Sequence, residues 1–282
     1  MRILLLLAAS FGYASAQEAP PAPDLTRILS RVAENQALAQ EQRKEWVYTQ
    51  KQLLAMHRGS GKLAREERRE YSITPKGRRV QKELVHFEGK YENHGKILTY
   101  DRPGYGFKGM DIDGDLINSL SDDLTNDKDS RDGLDHDLFP LVRDEQKKYD
   151  FRLEGTQEVH GRPTFRLTFK PKPHPADGDS GSWKGEALID AEEFQPVRVT
   201  TSLAFPIPMA VRILLGTNIK GLGFTVSYQR FADGVWFPVS YGGEFDVRAV
   251  FFYKRTISLA LTNSDFRRTD VSTKVAYSIE DK

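Results

Sequence analysis

The feature that most restricts the fold of this chain is an alternation of apolar and polar residues over two long stretches, 45–101 and 149–266. In the first stretch Trp46, Tyr48, Leu54 and Met56 share one face, and turns rich in glycine and proline divide it into about four strands. In the second stretch, strands are predicted at 149–159, 163–170, 183–190, 197–205, 224–231, 235–241, 245–253 and 256–266. Short turns connect antiparallel neighbours, so the chain is predicted to form one long antiparallel sheet.

Two segments depart from this alternation. After Asp24, which is suited to cap a helix, apolar residues recur at helical spacing and predict an amphipathic helix from Asp24 to about Lys44. A second short helix is predicted within 136–149.

The pair Gly242-Gly243 is predicted to bend one long strand, which gives about eleven strands in total. A sheet of this size curls towards full or partial closure, because closure limits its exposed edges.

The N-terminus predicts an exported protein. Arg2 precedes the apolar run Ile3–Ala9, and Ala14-Ser15-Ala16 supplies the small residues that a signal peptidase accepts. Residues 1–16 are therefore interpreted as a signal peptide, since the run is shorter than the roughly 20 residues of a membrane span. Residues 17–23 are predicted to form a proline-rich tether, and 24–282 a single domain.

Composition argues against several classes of protein. The chain has no cysteine, so neither a disulfide framework nor a lipidated cysteine is expected. Loss of Arg2 with the signal leaves equal numbers of basic and acidic side chains, so long-range attraction to nucleic acid or to anionic lipid is not indicated. The arginine-rich segment Arg65–Arg79 is interleaved with glutamates and is interpreted as an exposed, salt-bridged strand. No nucleic-acid partner is predicted.

Catalytic and metal motifs are incomplete. Gly178-Asp-Ser-Gly181 matches the string around a serine-protease nucleophile, but no histidine lies in a recognisable partner motif, so Ser180 is assigned to a hairpin loop. The acidic runs Asp111–Asp115 and Asp127–Gly133 place their glycines out of register with a calcium loop. We expect no catalytic residue, no metal site and no cofactor.

The order of four segments resembles the LolA/LolB-like outer-membrane lipoprotein-sorting superfamily. These segments are Gly161–Lys172, Trp183–Asp190, Phe194–Val199 and Tyr228–Pro238. They contain a strand that ends in an aspartate, a turn with a proline, and later a strand pair with the order tyrosine, turn, glycine, aromatic, proline. The resemblance spans the mature chain and is strongest at 149–267, while the acidic segment 104–137 and the greater length are departures from it.

The resemblance implies a mainly β (α+β) fold. Its form would be a curled antiparallel sheet in an incomplete barrel, with the helices across the concave side and an apolar cavity for acyl chains. It implies a non-enzymatic periplasmic carrier or binding protein for a lipid or a lipidated protein, with a role in outer-membrane lipoprotein sorting. The alternative is a protein-interaction or envelope-stress sensor module on the same fold, and a hydrolase with an unrecognised site is a third hypothesis. A transient membrane-surface or membrane-protein partner fits the first two.

The most apolar stretch after the signal is Ala204–Leu215, which Pro206 and Pro208 interrupt. Two prolines this close are not compatible with a central strand. The stretch is interpreted either as a plug of the core or as a mobile apolar lip that admits an acyl chain or touches a membrane. The predicted ligand-binding residues of this lip or cavity are Phe205, Ile207, Met209, Ile213, Leu214 and Trp183.

Overall fold

The alternating stretches form one antiparallel sheet of 12 strands in a computed structural model that describes residues 24–76, 79–103, 111–123, 140–173, 183–204, 217–231, 234–249 and 252–269. The strands are β1 (Trp46–Arg58), β2 (Leu63–Lys76), β3 (Arg79–Asn93), β4 (Lys96–Tyr100), β5 (Tyr149–Val159), β6 (Arg162–Pro171), β7 (Trp183–Asp190), β8 (Pro196–Leu203), β9 (Thr217–Lys220), β10 (Gly223–Arg230), β11 (Trp236–Ala249) and β12 (Tyr253–Arg268).

The strand order is β4-β3-β2-β1-β12-β11-β10-β8-β7-β6-β5, and β9 pairs with the far end of β11. Nearly all neighbours in space are neighbours in sequence, as expected for strands joined by short turns. The described strands do not close into a barrel, so β4 and β5 end the sheet on its two sides. The prediction of a mainly β, incompletely closed antiparallel fold is confirmed.

The strand boundaries differ from the prediction around β11. Gly242 and Gly243 lie inside this one long strand, as predicted, and a Cβ at Gly243 would come within 2.1 Å of the Gly223 carbonyl oxygen. The predicted strand 245–253 is wrong, because β11 ends at Ala249 and β12 begins at Tyr253. The connection between them, 250–252, is apolar and carries no turn signal. The four-residue strand β9 was not predicted.

Three α-helices are described, and a 3-10 helix (Arg43–Glu45) follows the first of them. Helix α1 (Leu25–Gln42) begins as predicted, with the Asp24 carboxylate accepting a hydrogen bond of 3.0 Å from the Thr26 backbone N–H. Helix α2 (Ile112–Asp123) lies in a segment interpreted from the sequence as a polar stretch. Helix α3 (Arg143–Gln146) is the described part of the predicted 136–149 helix and is only 4 residues long.

Helices α1 and α2 cover the same face of the sheet, which we call the inner face. Buried Ile28 and Val32 of α1 and Ile117 of α2 share one hydrophobic cluster with side chains from β1, β6–β8 and β10–β12. Within the described residues no helix has the length and apolar character to cross a membrane.

The inner face has two ends. At the lower end lie the C-terminus of α1, the turn 191–195 between β7 and β8, and Trp236 at the start of β11. At the upper end lie Trp183, which pairs with Leu203, and Tyr253, which pairs with Ala249.

Candidate functional site

The family-like motif around Asp190 builds a turn at the lower end. The Asp190 carboxylate accepts hydrogen bonds from the backbone N–H groups of Glu192 (3.0 Å) and Glu193 (2.8 Å) and from Arg162 Nε (2.5 Å). Burial works to raise the pKa of Asp190, but the hydrogen bond from Arg162 and those from the backbone lower it overall. The aspartate that ends this strand therefore has a structural role, which is to fold the turn that follows it.

That turn anchors helix α1. Asn35 Nδ2 donates to the Glu193 carbonyl oxygen (2.6 Å), and Gln36 Nε2 donates to Gln195 Oε1 (2.9 Å). The second motif contributes Trp236, whose indole N–H donates to Glu193 (2.9 Å) and whose carbonyl accepts from Arg43 Nε (2.8 Å). The two motifs that carry the resemblance thus meet at one place and fix the C-terminal half of α1.

At the upper end four aromatic side chains form what we call the aromatic cluster, made of Trp183, Phe224, Tyr241 and Phe245. Phe224 lies at its centre, with the Trp183 ring edge-on at 5.7 Å, the Tyr241 ring stacked at 5.5 Å and the Phe245 ring edge-on at 6.4 Å. Phe224, Tyr241 and Phe245 are buried, whereas Trp183 is half-buried. Trp183 is therefore the member nearest the surface.

Phe205, Ile207, Met209, Ile213 and Leu214 lie outside the described residues, and so does Ser180. The described chain stops at Ala204, directly after Leu203, and resumes at Thr217. Leu203 pairs with Trp183, and Thr217 pairs with Ala249. The described residues that precede and follow the predicted lip therefore lie at the upper end of the inner face.

Helix α2 is held by charged contacts at its N-terminus. Asp113 accepts hydrogen bonds from Arg255 Nε (2.8 Å) and Nη2 (3.0 Å) and from the Tyr253 hydroxyl (2.8 Å). Burial, followed by the charge and hydrogen bond of Asp113, raises the pKa of Tyr253 above its ordinary value. Just before the helix, Asp111 accepts from Arg65 Nη1 (2.6 Å). These acidic residues therefore pair with arginines of the sheet.

The inner side of β2 corrects the prediction of an exposed, salt-bridged strand. Arg65, Glu67 and Arg69 occupy alternate positions and are 1%, 0% and 4% exposed, so this face of the strand is buried. Glu67 accepts from Arg65 Nε (3.3 Å) and from Arg69 Nε (2.9 Å). We call these three residues the ionic row. The adjacent residues Glu66 and Arg68 lie on the outer face and form an ion pair with each other. For these two residues the prediction of a salt-bridged strand surface is confirmed.

The ionic row also holds β4 and α2. The Tyr100 hydroxyl donates to Glu67 (2.6 Å) and accepts from Arg65 Nε (2.7 Å), and burial together with Glu67 raises its pKa above the ordinary value. Arg69 Nη2 donates to Asn118 of α2 (2.6 Å). A Cβ at Gly114 would lie 2.6 Å from Arg65 Nη1, so the glycine permits the first turn of α2 to approach the row.

Glutamines continue the polar surface beneath α2. Ser121 Oγ donates to Gln52 Oε1 (2.9 Å), and Gln52 Nε2 donates to Gln50 Oε1 (3.0 Å). Beside them on the same face lie the buried apolar side chains of Leu54 and Met56, with Ile257 and Leu259 on β12. The sheet under α2 is therefore amphipathic, with an apolar strip next to a row of buried charges and amides.

In the described part of the chain, no three histidine, aspartate or glutamate side chains are grouped to hold a metal ion. The acidic run at 127–133 lies outside that part.

No protein-family model matches the chain, and a comparison with curated protein sequences gave no match. Among solved structures, it is similar to an outer membrane lipoprotein-sorting protein domain from Vibrio parahaemolyticus, at 13% identity over 89% of this chain and 96% of that chain with a TM-score of 0.40. It is similar to a LolA superfamily protein from Nitrosomonas europaea, at 12% identity over 86% of this chain and 97% of that chain with a TM-score of 0.32. It is also similar to the lipoprotein LppX from Mycobacterium tuberculosis, at 8% identity over 86% of this chain and 96% of that chain with a TM-score of 0.25. The names of the Vibrio and Nitrosomonas proteins refer to the same superfamily that the sequence motifs resemble.

Proposed function

We propose that this protein is an exported, non-enzymatic periplasmic carrier or binding protein for a lipid or an acylated protein. The observation that supports the proposal is the amphipathic sheet surface beneath α2. An acyl chain matches the apolar strip of Leu54, Met56, Ile257 and Leu259, while a polar head group or peptide matches the neighbouring ionic row.

Binding at this surface requires α2 to move and α1 to stay. Helix α1 is held by buried apolar side chains and by the lower-end anchor, so its displacement would expose apolar area to water. Helix α2 is held by Ile117 and the partly buried Ile112, Leu116 and Leu120, and in addition by ion pairs and amide hydrogen bonds, whose partners water can solvate on release. Burying ten methylenes contributes about 8 kcal/mol, which corresponds to micromolar binding without any catalytic group.

The lip would control entry at the upper end. Phe205, Ile207, Met209, Ile213 and Leu214 would line the entrance, and Trp183 would contact the chain as it passes towards the aromatic cluster. The half-buried position of Trp183 and its place opposite Leu203 support this role.

Mass spectrometry of organic extracts from the natively purified protein tests the function directly, and a copurified lipid or acylated peptide is expected. Absence of any lipid, together with no binding of a fluorescent fatty acid at 50 micromolar, roughly fifty times the dissociation constant estimated above, would contradict the carrier function.

The role of α2 is tested with Asp113→Asn, which weakens the contacts to Arg255 and Tyr253. We expect faster uptake of the fluorescent fatty acid in stopped-flow mixing, because α2 is released more easily. Arg166→Gln is the matched control, since it breaks the outer-face ion pair with Glu186 far from α2. Equal uptake rates in the wild type and Asp113→Asn would show that α2 does not limit entry.

The lip is tested with the double substitution Ile213→Ser and Leu214→Ser. A lip predicts an unchanged melting temperature and lost fatty-acid binding. If these residues plug the core instead, the double variant loses several kcal/mol of stability, as buried aliphatic residues do. A normally stable variant that binds as the wild type does would exclude the lip.

A second candidate function, a protein-interaction or envelope-stress sensor module, is favoured by one observation. In the described structure β4 covers β3 only from Gly89 to Asn93, and Leu84 and Val85 on the uncovered part are 39% and 56% exposed. An extended peptide could add a strand at this edge. Copurification of a membrane partner, lost on Val85→Lys and retained on Ile97→Lys, would support the sensor over the carrier.

A further inference from the structure

The turn between β11 and β12 carries the most exposed large apolar side chain of the described structure. Phe252 is 80% exposed and stands directly before β12, at the upper end of the sheet. Burial of an exposed phenylalanine ring is favourable, and aromatic side chains are enriched in binding interfaces. The neighbouring charges indicate what this surface binds.

Basic residues lie on both strands that adjoin Phe252. Arg248 and Lys254 lie directly opposite each other on β11 and β12, so two like charges face each other across the strands. Such a pair is destabilising in the isolated protein. The turn from Gly59 to Lys62 lies beside them, since a Cβ at Gly59 would come within 2.9 Å of the Lys254 stem. We call Lys62, Arg248, Phe252 and Lys254 the basic corner.

Nearby carboxylates do not neutralise the basic corner. Among the described residues, no carboxylate pairs with the side chain of Lys62, Arg248 or Lys254. Of the carboxylates nearby, Glu92 pairs with Arg58 and Asp113 pairs with Arg255, while Asp246 lies opposite Lys220 of β9 and Glu244 lies farther along β11 from the corner. The corner is therefore locally cationic, although the mature chain is predicted to be neutral as a whole.

We propose that the basic corner docks the protein on the surface of an anionic lipid bilayer, with Phe252 in the head-group region and the cations on the lipid phosphates. Only charges within about 8 Å of a membrane act on it at physiological ionic strength, so the local excess decides and not the net charge. Basic side chains together with exposed aromatic or aliphatic side chains are the combination that binds such interfaces. The proposal stands apart from the carrier function, because it needs no acyl chain inside the protein.

Cosedimentation of the purified exported protein with vesicles tests this proposal. The probes are vesicles of phosphatidylcholine with 30 mol% phosphatidylglycerol, an anionic content on the order of that of natural anionic leaflets, and vesicles of phosphatidylcholine alone. We expect binding only to the anionic vesicles, and loss of binding when added salt shortens the screening length to about 3 Å. Inorganic phosphate at millimolar concentration should not compete, because the bilayer and not a single phosphate is the partner.

Two variants and their controls locate the surface. Each Lys or Arg near an anionic surface strengthens binding about fivefold, so Arg248→Gln with Lys254→Gln should bind about 25-fold more weakly. Phe252→Ser should bind about tenfold more weakly, since much of the ring enters the interface. The controls are Arg198→Gln with Arg267→Gln, which removes two exposed charges elsewhere, and Leu38→Ser, which removes a side chain that is 59% exposed. These side chains are exposed, or half-buried in the case of Lys254, so the melting temperature should not fall, and loss of the like-charged pair Arg248–Lys254 should raise it slightly.

Equal binding to neutral and anionic vesicles would overturn the proposal. So would controls that weaken binding as much as the corner variants. A concentration-dependent dimer that Phe252→Ser abolishes, without vesicle binding, would overturn it too and would identify a second copy of the chain as the partner.

Discussion

Replacing Arg65 with methionine should destabilise the protein far more than the same replacement at Arg68. The two arginines lie on one strand and point to opposite faces. The Arg65 side chain is 1% exposed and contacts Glu67, Tyr100 and Asp111, whereas the Arg68 side chain is 59% exposed and pairs with Glu66. The pair of variants therefore compares a buried charge with a solvated one under the same change of side chain.

The expected magnitudes follow from these environments. Removing Arg65 leaves Asp111 without this guanidinium and leaves the fully buried Glu67 with Arg69 and Tyr100 alone. Removing one partner from a buried ion pair costs about 3 to 5 kcal/mol, mostly because the remaining charge stays buried. An exposed pair contributes about 0 to 1 kcal/mol, so Arg68→Met should change the free energy of unfolding by no more than that.

Urea denaturation followed by far-ultraviolet circular dichroism measures both values, provided that the dependence of the unfolding free energy on urea is unchanged. In the double variant Arg65→Met with Glu67→Gln, the loss should fall short of the sum of the single losses by about 1 to 3 kcal/mol, because the residues share one network. Equal losses in Arg65→Met and Arg68→Met would refute the reasoning, since they would mean that water reaches the ionic row in the native state.

Other perturbations have equally definite outcomes. Asp190 has a lowered pKa in the folded state, so its stabilising effect is complete above the unfolded value of about 3.9 and is lost as the pH falls below it. Asp190→Asn should therefore be less stable than the wild type at pH 7 in urea denaturation, and the difference should shrink below about pH 4; a difference independent of pH would contradict this. Gly89→Val should lower the free energy of unfolding in urea denaturation, because a Cβ there would lie 2.3 Å from the Tyr100 ring; wild-type stability would refute the contact. Asp24→Ala should cost about 1 kcal/mol through loss of the helix cap, and Asp24→Asn should cost less; equal losses in the two variants would show that the cap is not used.

Most of the sheet could be predicted from the sequence, because every strand except the four-residue β9 has local signals. Alternation marks the strands, and turns such as His94-Gly95 and Gly59–Gly61 mark their ends, with positive φ at His94 (49°), Gly95 (81°) and Gly61 (80°). Where a turn lacks such residues, as in the apolar connection 250–252, the strand boundary was wrong. Local signals therefore predict the strand pattern but not every boundary.

Helix α2 was missed because its acidic residues dominated the interpretation of the segment. Ile112, Leu116, Ile117 and Leu120 recur at helical spacing, which is a usable signal, but the aspartates at 111, 113 and 115 suggested a solvated acidic loop. Their partners Arg65 and Arg255 are distant in sequence, and no local pattern shows that they meet. Acidic residues also favour the first turn of a helix, because they interact well with its dipole.

The ionic row shows how one sequence pattern gives two opposite environments. In Arg65-Glu66-Glu67-Arg68-Arg69, adjacent residues suggest ion pairs along an exposed strand, yet a strand places alternate residues on the same face. The inner face then receives Arg65, Glu67 and Arg69, and the outer face receives Glu66 and Arg68. The inner face carries two positive charges and one negative charge, and the outer face carries one of each, so the charge pattern permits burial of either face. The position of α2 decides which face is buried.

Helices α1 and α2 are held on the sheet by different kinds of contact, and this difference is the reason why we propose that α2 moves and α1 does not. Moving α1 would expose Ile28 and Val32, and water does not compensate the loss of apolar burial. Moving α2 would also expose apolar side chains, namely Ile117 and the partly buried Ile112, Leu116 and Leu120. It would, however, return Asp111, Asp113 and their arginines to water, where they regain hydration that burial had removed. A buried ion pair thus fixes the position of α2 with a small net gain in stability. In the proposed carrier function, an acyl chain bound on the apolar strip would compensate the remaining loss, so α2 would be fixed in the free protein and displaced in the loaded one.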